Sequence, residues 1–332
     1  MGDSGTVGRS MSGRVTVVGE VLVDLLWRRG ATEVTPVPGG SPANVAVGLH
    51  RLRRPVTLVT AWGDDVPGEL VGRHLAGTGV EVRRAPTASG RTTLALAYLD
   101  EGGAASYDFL AAWDLEELPV PEDTTVLHTG SLAVVVEPGA SRVLEACRRL
   151  RDRAGGAVVV ADLNVRPAVQ PDRAAYRAVS RRVAAVADVV KASDEDLRWL
   201  FPDQRPAEAA RGLLAQGPRA VVVTLGGEGA LAVTREGDEV SVPAPPVRVV
   251  DTVGAGDAFQ AALLDVVAGR VADGEPVLPT DADGLAAVLR RCAAAAAVNC
   301  TRVGANPPTL RELEEALAED AAGDGARSRP AG

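Results

Sequence analysis

The sequence predicts an α/β fold: a doubly wound, mostly parallel sheet flanked by helices, with a small β-sheet lid. Two observations carry that reading. Short β-branched runs alternate with Ala/Leu/Arg-rich helical segments, the pattern of βαβ units in a parallel sheet. Two stretches, at about 21–38 and 91–110, break the rhythm, because strand-like runs and turns follow one another there without a long helix. They are expected to form the small projecting sheet.

"RVTVVGEVLVDLL" opens the chain as a strand. "SPANVAVGLHRLR" has a helical pattern, with Ser41 as its cap and Pro42 in the first turn, where the missing N–H costs nothing. "VTLVTAWG" is the next strand, and "PGELVGRHLAGTG" is a helix closing on glycine. "TVLHTGSL", "AVVVADLN", "ADVVKAS" and "AVVVTLGGEG" are further buried strands, with helices such as "SRVLEACRRLRDRA" and "AAYRAVSRRVAAVA" between them. Residues 1–12 and 318–332 read as disordered tails around one domain, 13–317. There is no internal repeat.

The 332 residues are 46% hydrophobic and 24% charged, enough to bury a sizeable core. Aromatics are only 3%, so Ala, Val and Leu must build it. A formal charge of −9 argues against nucleic-acid binding, which needs a basic face. No apolar run reaches the length of a membrane span. Cys147, Cys292 and Cys300 lack metal-site spacing and read as reduced thiols of a cytoplasmic protein. His50, His74 and His128 show no ligand spacing either. Lys191 is the only lysine, and Arg supplies every other side-chain cation except histidine.

The chemistry concentrates in "VRVVDTVGAGDAFQAALLDVVAG", residues 247–269. Gly254, Ala255 and Gly256 lead into a helix whose N-terminal N–H groups and dipole make an anion site. Asp257 stands on that helix start, where a carboxylate is out of place unless it acts on something. No P-loop G-x-x-x-x-G-K-[ST] exists in the chain, nor H-R-D and D-F-G elements of a protein kinase. As a dinucleotide fingerprint, G-A-G-D-A-F puts Phe259 where a small residue belongs and an acid where pyrophosphate would be repelled. Two readings of Asp257 remain: a helix N-cap, or a general base beside an oxyanion site.

At this point the sequence resembles the ribokinase-like (PfkB) family of carbohydrate kinases. "DTVGAGDAF" matches the family's C-terminal signature and "GGSPANVAVGLHRL" its N-terminal one. "AWGDD", "DLNVRP", "KASDED" and "TLGGEG" fall between them in family order. The resemblance implies ATP and Mg2+, a sugar hydroxyl as acceptor, and a β lid over the sugar. It makes Asp257 the catalytic base and Gly254, Ala255 and Gly256 the anion hole. It assigns Asp24, Gly39, Gly40, Asn44 and Arg166 to the sugar, and Asn164, Ser193, Thr224, Gly226 and Gly229 to the nucleotide. Asp196 would reach magnesium through water. Asp251, with carbonyls near Thr301–Gly304, would border a monovalent cation such as K+. A homodimer through the lid is the expected assembly.

Two departures from the family pattern bear on those roles. Asp196 replaces the longer Glu of N-x-x-E, and Ala293 stands where many members place an Asn near adenine. The acceptor expected is fructose, because "GGSPANVAVGL", "DLNVRP" and "SDED" look like bacterial fructokinases. The rival is 2-keto-3-deoxygluconate, whose carboxylate calls for a Tyr-Arg pair on the lid; Leu110-Ala111 stand there instead, with Arg91 and Arg166 as substitutes. A non-catalytic sugar or nucleotide sensor is the third reading. Trp27, Phe109 and Trp113 are expected against the sugar's apolar face or in the lid core.

Overall fold

The computed structural model describes residues 13–100 and 105–327. β1 (Val15–Val18) leads directly into β2 (Leu22–Arg28) and β3 (Thr35–Gly39), and α1 (Ser41–Arg51) returns the chain to β4 (Val56–Thr60). After α2 (Val66–Ala76) and β5 (Glu81–Arg84), the chain goes out again as β6 (Thr93–Leu99) and β7 (Ala105–Leu110). A regular alternation follows: β8 (Val126–Gly130), α3 (Gly139–Asp152), β9 (Val158–Asp162), α4 (Arg173–Val186) and β10 (Val189–Ser193). The helices α5 (Asp194–Leu200) and α6 (Pro206–Leu214) then precede β11 (Ala220–Thr224). The hairpin β12 (Ala230–Thr234) and β13 (Glu239–Val242) precedes α7 (Ala255–Ala272), α8 (Ala282–Cys300) and α9 (Leu310–Arg327).

Nine strands form the main sheet in the order β13-β12-β11-β10-β9-β8-β1-β4-β5. β11 through β5 run parallel, and only the β12–β13 edge is antiparallel. The strand order reverses beside β1, so the crevice beyond the C-terminal ends of β1, β8 and β9 is the switch point where α/β sheets bind ligands. The four lid strands form a second sheet, β3-β2-β6-β7. The strand expected over "RVTVVGEVLVDLL" is therefore two strands in two sheets. Gly19 is packed against Pro42, and the buried Glu20 carboxylate accepts the Leu132 and Ala133 N–H groups. The chain leaves the main sheet at that point.

α1, α2, α7, α8 and Leu313 of α9 cover one face of the main sheet, and α3–α6 cover the other. With few aromatics, helices pack closely through small residues. Gly48 of α1 faces Ala261 of α7, and a Cβ added to Gly48 would stand 2.6 Å from the Ala261 Cβ. That close approach aligns the start of α1 with the start of α7. α9 corrects the expected C-terminal tail. The helix continues past residue 318 to Arg327, as an Ala/Glu/Leu-rich run should, with Leu313 fully buried and Arg311 paired to Glu315 at 3.1 Å. The expected N-terminal tail, 1–12, lies outside the described residues.

Candidate active site

The start of α7 is fixed by a net of short bonds. Gly254 caps the helix at φ 77, a conformation costly for other residues. The buried Asn299 amide donates to the Val253 carbonyl at 2.8 Å and accepts the Asn306 N–H at 2.9 Å. Asp251 accepts the Val253 N–H at 3.0 Å and the Gly304 N–H at 2.8 Å. The loop before α7 is thus bracketed to the segment after α8, and Asp251 does meet the 301–304 loop. Ala255 N–H closes a turn on the Thr252 carbonyl at 3.1 Å. The Gly256 and Asp257 N–H groups lie in the first turn, where no helical carbonyl precedes them.

Asp257 is held from α1. Its Oδ1 accepts the Ser41 hydroxyl at 2.7 Å and its Oδ2 the Asn44 amide at 2.8 Å. Ser41 was expected to cap α1. The cap is Gly40, at φ 116, and it makes no side-chain bond. Ser41 is the first helical residue, which frees its hydroxyl to reach across to Asp257. Asp257 is not the N-cap of α7; Gly254 is.

On the acceptor side, Asp24 pairs with Ala95 and Val37, and Ala95 with Phe109, so these four share one lid face. Tyr107, two residues from Phe109, lies on the same face, with the rings stacked 6.2 Å apart. Gly39 lies against Asp24 Oδ2. Burial raises the Asp24 carboxyl to about 6, with the Arg166 guanidinium opposing. Burial also raises the Tyr107 hydroxyl, and the charges of Asp24, Arg166 and Asp251 all act on it. Tyr107 thus lies within electrostatic reach of Arg166 and Asp251 of the main domain. Arg166 has its N–H bonded to the Tyr176 hydroxyl at 2.9 Å. Arg91 is exposed beside the α2 cap. Two aromatic expectations need correction. Trp27 sits on the opposite lid face against Tyr98, as alternation from Asp24 requires. Trp113 is buried in the main core, donating to the Ala133 carbonyl at 3.2 Å.

On the other side, Ser193 and Thr224 are register partners at the ends of β10 and β11. Asn164, just beyond β9, has φ 39, and its buried Nδ2 has no protein partner. A positive-φ residue with an orphaned buried donor is a feature that functional sites carry. Gly226 and Gly229 belong to the β11–β12 hairpin. Gly226 and Gly227 face open space. Asp196 is buried at the start of α5. It completes a capping box with Ser193, its Oδ2 accepting the Ser193 N–H at 2.8 Å, while Oδ1 accepts Val165 N–H at 2.7 Å. Its shorter side chain suits that backbone role. Ala293 is buried in the α7–α8 core at 6% exposure.

A model of the pfkB family carbohydrate kinases matches residues 13–312. The chain belongs to this family. It is a carbohydrate kinase, a phosphotransferase with an alcohol acceptor. This kinase is 35% identical over 258 residues to the fructokinase of Rhizobium leguminosarum bv. trifolii, a match covering 74% of this chain and 77% of that one. Its fold superposes on the ATP-bound fructokinase of Xylella fastidiosa with TM-score 0.77 at 29% identity, covering 93% of this chain and 99% of that one. A double mutant of Vibrio cholerae fructokinase, bound to fructose, ADP and potassium, gives TM-score 0.73 at 26% identity, covering 92% and 98%.

Sequence reasoning missed several polar residues of the kinase. Ser41 was misassigned, and Asn299 carried no motif. Beneath α7 lies a buried row: His128 meets the Val160 carbonyl at 3.1 Å and Gln260 at 3.3 Å. Burial drops the His128 imidazole to about 4, so it is neutral. Next to it, Lys191 donates to Asp162 at 2.8 Å. The lone lysine in an Arg-rich chain was the available signal for this pair.

Proposed function

We propose that the kinase is an ATP-dependent fructokinase. The observation that carries the reading is the Ser41–Asp257–Asn44 arrangement, which presents a fixed carboxylate at a helix N-terminus. Asp257 takes the proton of the sugar hydroxyl. That oxygen forms a bond to the γ-phosphorus of ATP as the bond to the β–γ bridging oxygen breaks, giving the phosphosugar and ADP. The N–H groups of Gly254, Gly256 and Asp257 and the dipole of α7 stabilise charge on the transferred group; Ala255 supports the turn. Thr224, Ser193, Asn164 and the hairpin, open at Gly226 and Gly227 and turned by Gly229, suit the nucleotide phosphates.

Among the described residues, no group of three His, Cys, Asp or Glu is placed to hold a metal ion. That fits a magnesium ion carried in by the nucleotide, since Mg2+ is usually bound through one or two carboxylates plus substrate phosphates. Asp196 would act on it only through water, because both its oxygens already accept backbone N–H groups. Potassium suits the Asp251 carboxylate and the carbonyls of 301–304, which the Asp251–Gly304 bond brings together.

The acceptor reading rests on the lid's lack of a Tyr-Arg pair for a carboxylate: Leu110 and Ala111 stand at those positions, and Leu110 lies on the lid face opposite Asp24. The second reading, 2-keto-3-deoxygluconate, is favoured by Arg166, whose charge acts on Asp24. A coupled ADP-formation assay over a sugar panel tests both. Fructose is expected to have the highest kcat/KM. Preference for the keto acid, abolished in Arg166→Leu, would reassign the acceptor; no sugar-dependent ADP formation would leave the sensor reading. Exposed Trp27 and Leu110 on the outer lid face suit a homodimer there, which sedimentation of Trp27→Asp would dissociate. A cytoplasmic location follows from the supply of ATP and the unpaired thiols: Cys147 and Cys292 are buried and Cys300 partly so, all free.

A further inference from the structure

The chain carries 35 Lys and Arg residues, and Lys191 is its only lysine. Lys191 lies in β10, on the face turned to α7, with 4% exposure. Its register neighbours there include Asp162 on β9 and Val222 on β11. The ammonium donates to Asp162 Oδ2 at 2.8 Å. Burial disfavours its charge, but the nearby Asp162, with Asp196 and Asp257, keeps it protonated above the usual lysine range.

Arg and Lys are not interchangeable at such a place, because a guanidinium is a planar fork and an ammonium is a compact point charge. The Lys191 Nζ lies 3.2 Å from where a Cβ on Gly256 would stand, so it fills the gap directly beneath the first turn of α7.

A purely structural ion pair accounts poorly for this arrangement. A buried pair adds little stability compared with apolar residues of the same size, and the same sheet face is otherwise lined by residues such as Val160, Val189 and Val222. A cation under a helix N-terminus is repelled by the dipole. The pair is also incompletely satisfied. Asp162 Oδ1 is buried with no partner, and Lys191 spends one of its three donors on a protein group among the described residues. The cation beneath a helix start and its two unspent donors make sense if an anion sits above Gly256; the unpartnered Asp162 Oδ1, an acceptor, is not satisfied by that anion and calls for a donor.

We propose that Lys191 is a positioning residue for phosphoryl transfer: from beneath Gly256 its ammonium adds a fixed positive charge to the anion hole, and Asp162 holds it in place. The inference rests on the sugar kinase activity and is independent of which sugar is used.

The test removes both charges together, because Lys191→Met alone would leave Asp162 buried and unpaired. In the double variant Lys191→Met with Asp162→Asn, the expected result is a fall in kcat of about 100-fold, the scale for losing one oxyanion-stabilising group. The sugar KM and the affinity for ADP should stay within about threefold. Affinity for ADP with aluminium fluoride and sugar, which mimics the transferring phosphoryl group, should fall in proportion to kcat. A kcat within about threefold of the wild type would overturn the proposal. So would a variant that loses kcat, sugar affinity, ADP affinity and melting temperature together, since that is the behaviour of a merely structural pair. A wild-type enzyme that turned over no sugar would instead count against the kinase reading.

Discussion

The two sheets of the kinase are built to opposite specifications. The main sheet is sealed on both faces: Val160 and Val222 on the α7 side and Val159 and Val221 on the other are all 0% exposed. The lid sheet leaves Trp27 39%, Tyr107 43% and Leu110 63% exposed. The first is held by burial along β1, β4 and β8–β12, while its edge strands β5 and β13 are largely exposed. The second is tied down at its base, where Asp65 accepts the Thr92 N–H at 3.0 Å and Val23 and Thr93 are buried. Regions with few buried contacts open at lower free energy than the core. The chemistry follows that division. Asp257, Asn299 and Lys191 sit on the sealed side, where positions are fixed, and Asp24 and Tyr107 sit on the sheet that has room to adjust around a sugar.

The largest expected effect belongs to the sealed side. Asp257→Asn keeps the shape and both α1 contacts within reach, but an amide cannot take the hydroxyl proton. Turnover should fall by roughly 10² to 10⁴-fold, while calorimetry still detects sugar and nucleotide binding. Near wild-type turnover would remove Asp257 from the base role and with it the claim that the rigid sheet carries the chemistry.

Much of this division was legible in the sequence. The alternation of strands and helices and its two interruptions place both sheets, and the Gly-rich signatures point to Asp257 and Asn44. What was not legible depends on contacts between distant elements. Ser41 looks like a cap because caps are read from local sequence; its bond to Asp257 arises only because Gly48 and Ala261 let α1 and α7 approach. Asn299 and Asp162 act through partners far along the chain. Asp196 fills a family motif position, yet its oxygens are spent on backbone N–H groups that no linear pattern reveals.

The next effect tests that packing link. Gly48→Ala would force a methyl into the Ala261 contact. Overpacking of this kind costs about 1–3 kcal/mol, and it should lower the denaturation midpoint and kcat together, because Ser41 and Asn44 move away from Asp257. An equal substitution on the lid, Ala97→Gly, should soften the lid and leave the Asp257 contacts intact. If Gly48→Ala is unfolded less readily than Ala97→Gly, the helices are not the rigid partner in the comparison.

The smallest effect separates the two sheets by pH. Asp24 is the acidic residue of the lid's inner face, and burial raises its carboxyl to about 6 against the opposing charge of Arg166. Its folded value lies above that of an exposed aspartate, about 3.9. The folded state therefore binds the extra proton between those values, and this contribution to stability is present at low pH and lost as pH rises through about 6. Sugar binding runs the other way, because only the carboxylate accepts two hydroxyl protons from a polyol. Between pH 7 and pH 5, protonation of a group near 6 should weaken sugar affinity by about tenfold. Calorimetric titration of fructose without ATP measures this apart from any titration of the catalytic base. The Asp24→Asn variant should bind more weakly at pH 7 and show a flat profile over the same range. A wild-type affinity that does not change between pH 5 and pH 7 would mean that Asp24 does not face the sugar, and that the lid contributes shape and water exclusion without a charge of its own.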